Sequence, residues 1–404
     1  MSGRHVLLMT VLAAVATAAA QMASASDELG SPGPAAKGAG TQRPFKIFDG
    51  KAKSIVLLTS SHAGGAELFS RVKKMAGSEN IQTRQQGYCT DEDGRRDFPS
   101  ALPPPPDNLP DYCPRKELTG SDPAVLVVLG GALRAKDFPP APGTCTDQEA
   151  LARGVQIMCE GVRRAEAKGV EWVMLSTMHY NPNPAWPHCV GWEKAGELVR
   201  AYNETDVGKR HPAVDVSTPL RESYPEYFSG DMYHCNAYGR ELVAHSWFKA
   251  LCEWDGLEVP AWSREMVEAA RKRDTKDRQG IRDVRAREIA FPEAESRRAL
   301  EVTWSAAPDL KDYSAEFFRC EQYYAARGGR SGSGRFVPIA GAKVAQTKDG
   351  WRLIWPLPAS PDPKDPFRNG DHYFIRIAAG RQWNISFPAQ LGPGGDPAPW
   401  MRRP

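Results

Sequence analysis

Two stretches of this chain, Ala124-Val125-Leu126-Val127-Val128-Leu129 and Val170-Glu171-Trp172-Val173-Met174-Leu175, are nearly unbroken apolar runs of strand length. A strand with one face in water alternates apolar and polar residues. A parallel strand covered by helices on both faces does not have to, and that is the condition these runs describe. Ser54 to Thr59, Ile81 to Gln85 and Ala213 to Ser217 fit the same role. Between these strands lie stretches with apolar residues at helical spacing, Ala66 to Met75, Asp147 to Lys168 and Glu193 to Tyr202, and a last helix is expected over Ala237 to Leu251. The alternation predicts an α/β domain with a doubly wound parallel sheet over residues 51–262.

The texture then changes. Residues 263–297 are dense in alternating acids and bases and read as a charged linker or solvated helix. Short strands separated by turns follow over residues 298–390: Leu300 to Trp304, Ala315 to Cys320, Gly350 to Trp355 and His372 to Ala378, with turn chemistry at Pro308-Asp309, Gly328-Gly329 and Asn369-Gly370. This pattern predicts a small all-β sandwich domain. With its early Trp304 and a closing strand that begins near Tyr373, it resembles a fibronectin type III-like or Ig-like module. Residues 391–404 are a tail. Within the first domain, Gly87 to Pro123 carries Pro103-Pro104-Pro105-Pro106 and is expected as an irregular insertion.

At the N-terminus, Arg4 precedes an apolar run from Val6 to Ala20, and Ala23-Ser24-Ala25 is a small-residue cleavage pattern. Residues 1–25 therefore read as a signal peptide and residues 26–50 as a flexible leader, which makes the mature chain secreted or periplasmic, with no transmembrane anchor. All eight cysteines lie beyond residue 25, so disulfides are the default expectation, with Cys89–Cys113 favoured across the Pro-rich loop. No Cys-x-x-Cys pair occurs, so no metal site is expected, and no cofactor motif is present. A net charge of only +3, spread along the chain, argues against a nucleic-acid partner. Asn203-Glu204-Thr205 and Asn384-Ile385-Ser386 match glycosylation sequons.

Two short segments carry the chemistry. Ser60-Ser61-His62-Ala63-Gly64-Gly65 follows the first strand, and Asp231-Met232-Tyr233-His234 precedes the last helix. An acid three residues ahead of a histidine can fix one ring nitrogen while the other faces a reacting hydroxyl. Taken singly, each segment also fits a plainer role: a turn or helix cap for the serines, a cap acid plus a surface histidine for the second. Their joint placement, at the first strand and the last helix of one α/β pattern, favours the chemical reading.

Over about Lys51 to Cys252 these blocks resemble the SGNH hydrolase family, the GDSL-type lipases and esterases. The resemblance implies a flavodoxin-like sheet, Ser61 as nucleophile, Asp231 and His234 as the rest of a triad, and Gly87 as an oxyanion-hole glycine. Gly130 and Gly131, in an expected turn after the third strand, are further oxyanion or substrate-binding candidates, and His62 is a candidate pocket wall. The chain departs from the family at Thr59-Ser60, where Gly-Asp is usual, and at Ala132, where an oxyanion-hole Asn is usual. The implied function is a serine esterase acting on a small-molecule or carbohydrate ester, in which the loop from Met178 to His188 is a candidate sugar contact and a cell-surface or glycan contact is a further expected partner. The alternative is a catalytically inactive SGNH-fold protein that binds a glycan or protein partner through the same cleft.

Overall fold

The structure, a computed structural model, describes residues 45–51, 53–58, 64–86, 125–133, 147–167, 171–177, 179–180, 182, 195–230, 234–319, 336–339, 341–357 and 372–390. The signal segment, the leader up to residue 44, the Cys89–Cys113 pair and the tail from residue 391 lie outside the described residues.

Strands β1 (Lys53–Leu58), β2 (Ile81–Gln86), β3 (Val125–Leu133), β4 (Trp172–Thr177) and β5 (Ala213–Val214) form a five-stranded sheet in the order β2-β1-β3-β4-β5. Every pair is parallel, and Ser54 is opposite Gln82 on one side and Val125 on the other. This is the flavodoxin-like order, with its topological reversal between β1 and β3. All six residues of β4 are buried, as its unbroken apolar run requires.

Helices α1 (Gly65–Ala76), α2 (Asp147–Ala167), α3 (Ala195–Asn203), α4 (Asp206–Arg210) and α5 (Ser217–Glu222) lead to the long helix α6 (Ala237–Asp255) and then to α7 (Ala261–Asp274). Helix α6 buries Val243, Ala244, Trp247, Phe248, Leu251 and Cys252, which recur at three- and four-residue spacing along one face. Each large apolar side chain among them contributes roughly 1.5–3 kcal/mol. Asn236 caps its start by accepting from the Gly239 amide at 3.0 Å, and Gly256, with φ 71°, ends it in the left-handed conformation that glycine adopts without strain.

Four boundaries differ from the sequence reading. Residues 45–50, expected in the flexible leader, pack on the fold, with Ile47 buried and the Ile47 and Phe48 amides donating to Asp255 at the end of α6. Gly130 and Gly131 lie inside β3, not in a turn beyond it. The strand runs on to Leu133, with a register shift between Leu129 and Leu133 of the kind glycines permit. Strand β5 stops at Val214 because Asp215 leaves the ladder to accept from the Ser217 and Thr218 amides, at 2.9 and 3.0 Å, at the start of α5. The stretch 263–297, expected as a charged linker or helix, holds most of α7 and then strand β6 (Ile281–Ala290). Ile281 and Val284 of β6 face the core. Its outward charges pair across strands, Arg287 with Glu301 at 2.6 Å and Glu288 with Arg298 at 2.5 Å.

Beyond β6 are two antiparallel sheets. One has the order β10 (Lys343–Thr347), β11 (Gly350–Pro356), β7 (Arg298–Ala306), β6. The other has the order β13 (Gln382–Ile385), β12 (His372–Ala379), β8 (Ser314–Arg319), β9 (Val337–Pro338), with β14 (Ala389–Gln390) also on β12. Val302, Trp304 and Leu353 of the first sheet share a core with Phe317, Ile375 and Ile377 of the second. Strands β8 and β12 are buried on both faces around Phe317, Phe318, Tyr373, Phe374 and Ile375. Phe317, Tyr373 and Ile375 point into this core, whereas Phe318 and Phe374 on the opposite face join the core of the α/β half, where Phe374 meets Phe228 at 5.8 Å.

The cysteine expectation needs correction. Cys159 and Cys252 are buried free thiols that pack as small apolar groups, with burial raising the Cys252 pKa to about 11. The sequon asparagines are also committed to the fold, since Asn203 donates to the Ala213 carbonyl and buried Asn384 to that of Ile281. Among the described residues, no helix is long and apolar enough to cross a membrane.

Candidate active site

The carboxyl edge of a parallel sheet is where open α/β folds bind ligands. Strand β1 ends at Leu58 and α1 begins at Gly65, so Ser61 and His62 belong to the connection at that edge, although both lie outside the described residues. Gly87, directly after β2, and Asp231 also lie outside them. Gly130 and Gly131 are described, at the carboxyl end of β3, the neighbour of β1.

His234 is described and half-buried, in the turn that enters α6. Main-chain bonds hold this turn. The His234 carbonyl accepts from the Ser229 amide at 2.9 Å, Cys235 and Phe228 form an isolated β-bridge, and the Asn236 amide donates to the Tyr227 carbonyl at 2.8 Å. The Asn236 side chain adds a bond from Nδ2 to the Glu226 carbonyl at 2.7 Å while its oxygen caps the helix.

Gly64, just before α1, lies against the first turn of α6. A Cβ placed on Gly64 would lie 2.2 Å from the carbonyl oxygen of Arg240, in the first turn of α6, so the two backbones touch where only glycine fits. Arg240 strengthens the contact by donating to Glu67 at 2.9 Å and, at 3.4 Å, to the Cys235 carbonyl. Deeper in the same interface, Arg71 pairs with Glu241 at 2.6 Å and donates to the hydroxyl and carbonyl of Ser263 on α7.

Thr177, at the end of β4, accepts from the Val216 and Ser217 amides at 2.9 and 3.2 Å and donates to Asp215 at 3.3 Å, fixing the loops after β4 and β5. Tyr180 is anchored by the Tyr227 hydroxyl, which donates to its carbonyl at 2.7 Å, and burial pushes its phenol well above the ordinary tyrosine range. This ties the loop after β4 to the His234 turn. Of the Met178 to His188 loop, His179, Tyr180 and Pro182 are described, and all three are buried.

The sequence reading did not single out Gly64, Thr177, Asp215 or Asn236 for these roles. Asp215-Val216-Ser217-Thr218 and Asn236 before α6 are cap patterns that could have revealed two of them. Among the described residues, no group of three or more histidine, cysteine or acidic side chains is placed to hold a metal ion.

No protein-family model and no curated protein matches the chain. Among solved structures it is similar to a candidate acylhydrolase from Bacteroides fragilis, at 16% identity and TM-score 0.30, over 52% of this chain and 91% of that one. It is also similar to a catalytic mutant of an acetylxylan esterase from Geobacillus stearothermophilus, at 14% identity and TM-score 0.29, over 53% of this chain and 98% of that one. Likenesses of this size carry no weight by themselves. The α/β assignment rests on strand order and register.

Proposed function

We propose that the protein is a secreted serine esterase of the SGNH type that hydrolyses an ester and deacylates carbohydrate. Ser61 attacks the ester carbonyl, His234 takes the serine proton and returns it to the leaving alcohol, and Asp231 holds the imidazole in the required tautomer. The amide of Ser61, with one from Gly87 or from the Gly130-Gly131 stretch, receives the oxyanion, and His62 lines the pocket. The fibronectin type III-like half positions or binds the substrate. The observation that supports this reading is the contact of Gly64, three residues after Ser61 in the sequence, with Arg240 in the first turn of the helix that follows His234.

A fluorophosphonate probe tests it. Labelling of the wild type that is lost in Ser61→Ala is the expected result, and an unlabelled wild type beside a labelled control hydrolase rejects the esterase. The second reading, an inactive glycan- or partner-binding protein, is favoured by Ala132 and Ser60, which stand where the family has catalytic-site residues. Loss of one oxyanion donor costs about 100-fold or more in rate.

A further inference from the structure

A cavity of about 570 Å3 opens where the end of α7 and the start of β6 meet β13 and the turn after Tyr224. Tyr224, Thr275, Arg278 and Asn384 line it, and each is more than nine-tenths buried. Polar side chains at such depth normally saturate one another. Three of these do, the Tyr224 hydroxyl donating to the Ser386 carbonyl at 2.6 Å, Thr275 to that of Arg271 at 2.8 Å and Asn384 to that of Ile281 at 2.8 Å.

Arg278 is different. Its two terminal nitrogens donate to the carbonyls of Pro225 and Phe228, its guanidinium lies 4.0 Å over the ring of Trp383, and its Nε is buried without a partner. None of these partners is anionic. Burial lowers its pKa to about 10, the sign of a cation short of compensation.

The nearest acids are engaged elsewhere. Glu226 takes two bonds from Arg271, at 2.7 and 3.3 Å, and Asp274 accepts from Arg273 and from the Tyr238 amide. Lys272 and Arg282 stand exposed among the lining residues, opposed there by Glu268 and Asp283. Among the lining residues Arg271, Lys272, Arg278 and Arg282 outnumber Glu226, Glu268 and Asp283 by one charge, and Arg278 is the buried one of the seven, the least screened by solvent.

We propose that this cavity binds a small oxyanion, a carboxylate or phosphate group of a ligand seated over Arg278 and between Lys272 and Arg282. A purely structural role for Arg278 as a clamp accounts for its two carbonyl bonds, but not for an open, positive cavity beside it. Neither Ser61 nor His234 is among the lining residues, so binding is read directly and does not depend on ester hydrolysis.

The test is calorimetric titration of the mature chain with glucuronate, with inorganic phosphate and with glucose as the uncharged control, at constant ionic strength. Saturable binding of glucuronate or phosphate, weakened about tenfold or more by Lys272→Glu and by Arg282→Glu, is expected. Binding of glucuronate alone assigns a carboxylate ligand, of phosphate alone a phosphoryl ligand, and of both a general oxyanion site. Both substitutions are on exposed side chains, and circular dichroism checks that the variants fold. Binding of neither anion to the wild type, binding of glucose equal to that of glucuronate, or binding that both charge reversals leave unchanged overturns the proposal.

Discussion

The backbone of Gly64 meets the carbonyl of Arg240 so closely that a β-carbon at position 64 would intrude to 2.2 Å. This contact fixes the angle at which α1 leaves the β1 edge against the first turn of α6. Gly64→Ala must therefore push the two segments apart. Overpacking against backbone costs about 1–3 kcal/mol, and the proposed nucleophile Ser61 is three residues before Gly64 in the sequence. The expected outcome is a lowered urea midpoint together with a fall in ester hydrolysis larger than the loss of folded protein explains. Unchanged stability and turnover would show that the contact does not position the site.

His234 offers a cleaner separation of chemistry from folding. Its turn is held by the Ser229 amide, the Phe228–Cys235 bridge and the Asn236 cap, all independent of the imidazole. His234→Gln is expected to lower hydrolysis of a p-nitrophenyl ester by about 1,000-fold or more while leaving the thermal midpoint close to that of the wild type. Retained turnover in this variant would remove the histidine from the mechanism.

The parallel half was legible chiefly because β1 and β4 are apolar runs, and β1, β2 and β4 fall within two residues of their expected bounds. Strand β6 was not. Its charges, Arg285, Arg287 and Glu288, look like a solvated linker until Glu301 and Arg298 appear across the ladder, and such partners are invisible to local pattern. Gly64 reads in sequence as a loop glycine, and only packing reveals its contact. Arg278 sits in a run of bases that gives no hint that one of them is buried. For the site itself, the Asp-x-x-His spacing placed His234 at the entry to the last α/β helix, while Ser61 and Asp231 remain expectations.

Acid should loosen the α1–α6–α7 interface. Ser263 accepts from Arg71 Nε at 2.9 Å, and its hydroxyl lies 2.9 Å from His245 Nδ1. Burial, with the nearby cations Arg71, Lys249 and Arg264, holds the His245 pKa below the ordinary 6.5. His211 is lowered too, by burial, although Glu166 opposes the shift. When the folded pKa is depressed, the unfolded chain binds the proton more readily. The stabilisation is therefore complete above 6.5 and is lost as pH falls through the folded value. Thermal midpoints measured from about pH 7 to about pH 5 should decline, and His245→Gln should flatten part of that decline. A wild-type profile with no fall across this range would contradict the assignment.

The two halves of the molecule should unfold together. Phe228 of the α/β half lies 5.8 Å from Phe374 of β12, and Phe318 and Ile385 belong to the same buried cluster as Leu251 and Trp247 of α6. Because β8 and β12 serve one core with each face, neither half can lose its partner without exposing aromatic surface. Phe374→Ala should cost about 3–5 kcal/mol, and the variant and wild type should each melt in a single calorimetric transition. Two resolved transitions in the wild type, with only the later-chain half affected by Phe374→Ala, would show instead that the β-rich half is an autonomous module and that the shared aromatic seam contributes little to its stability.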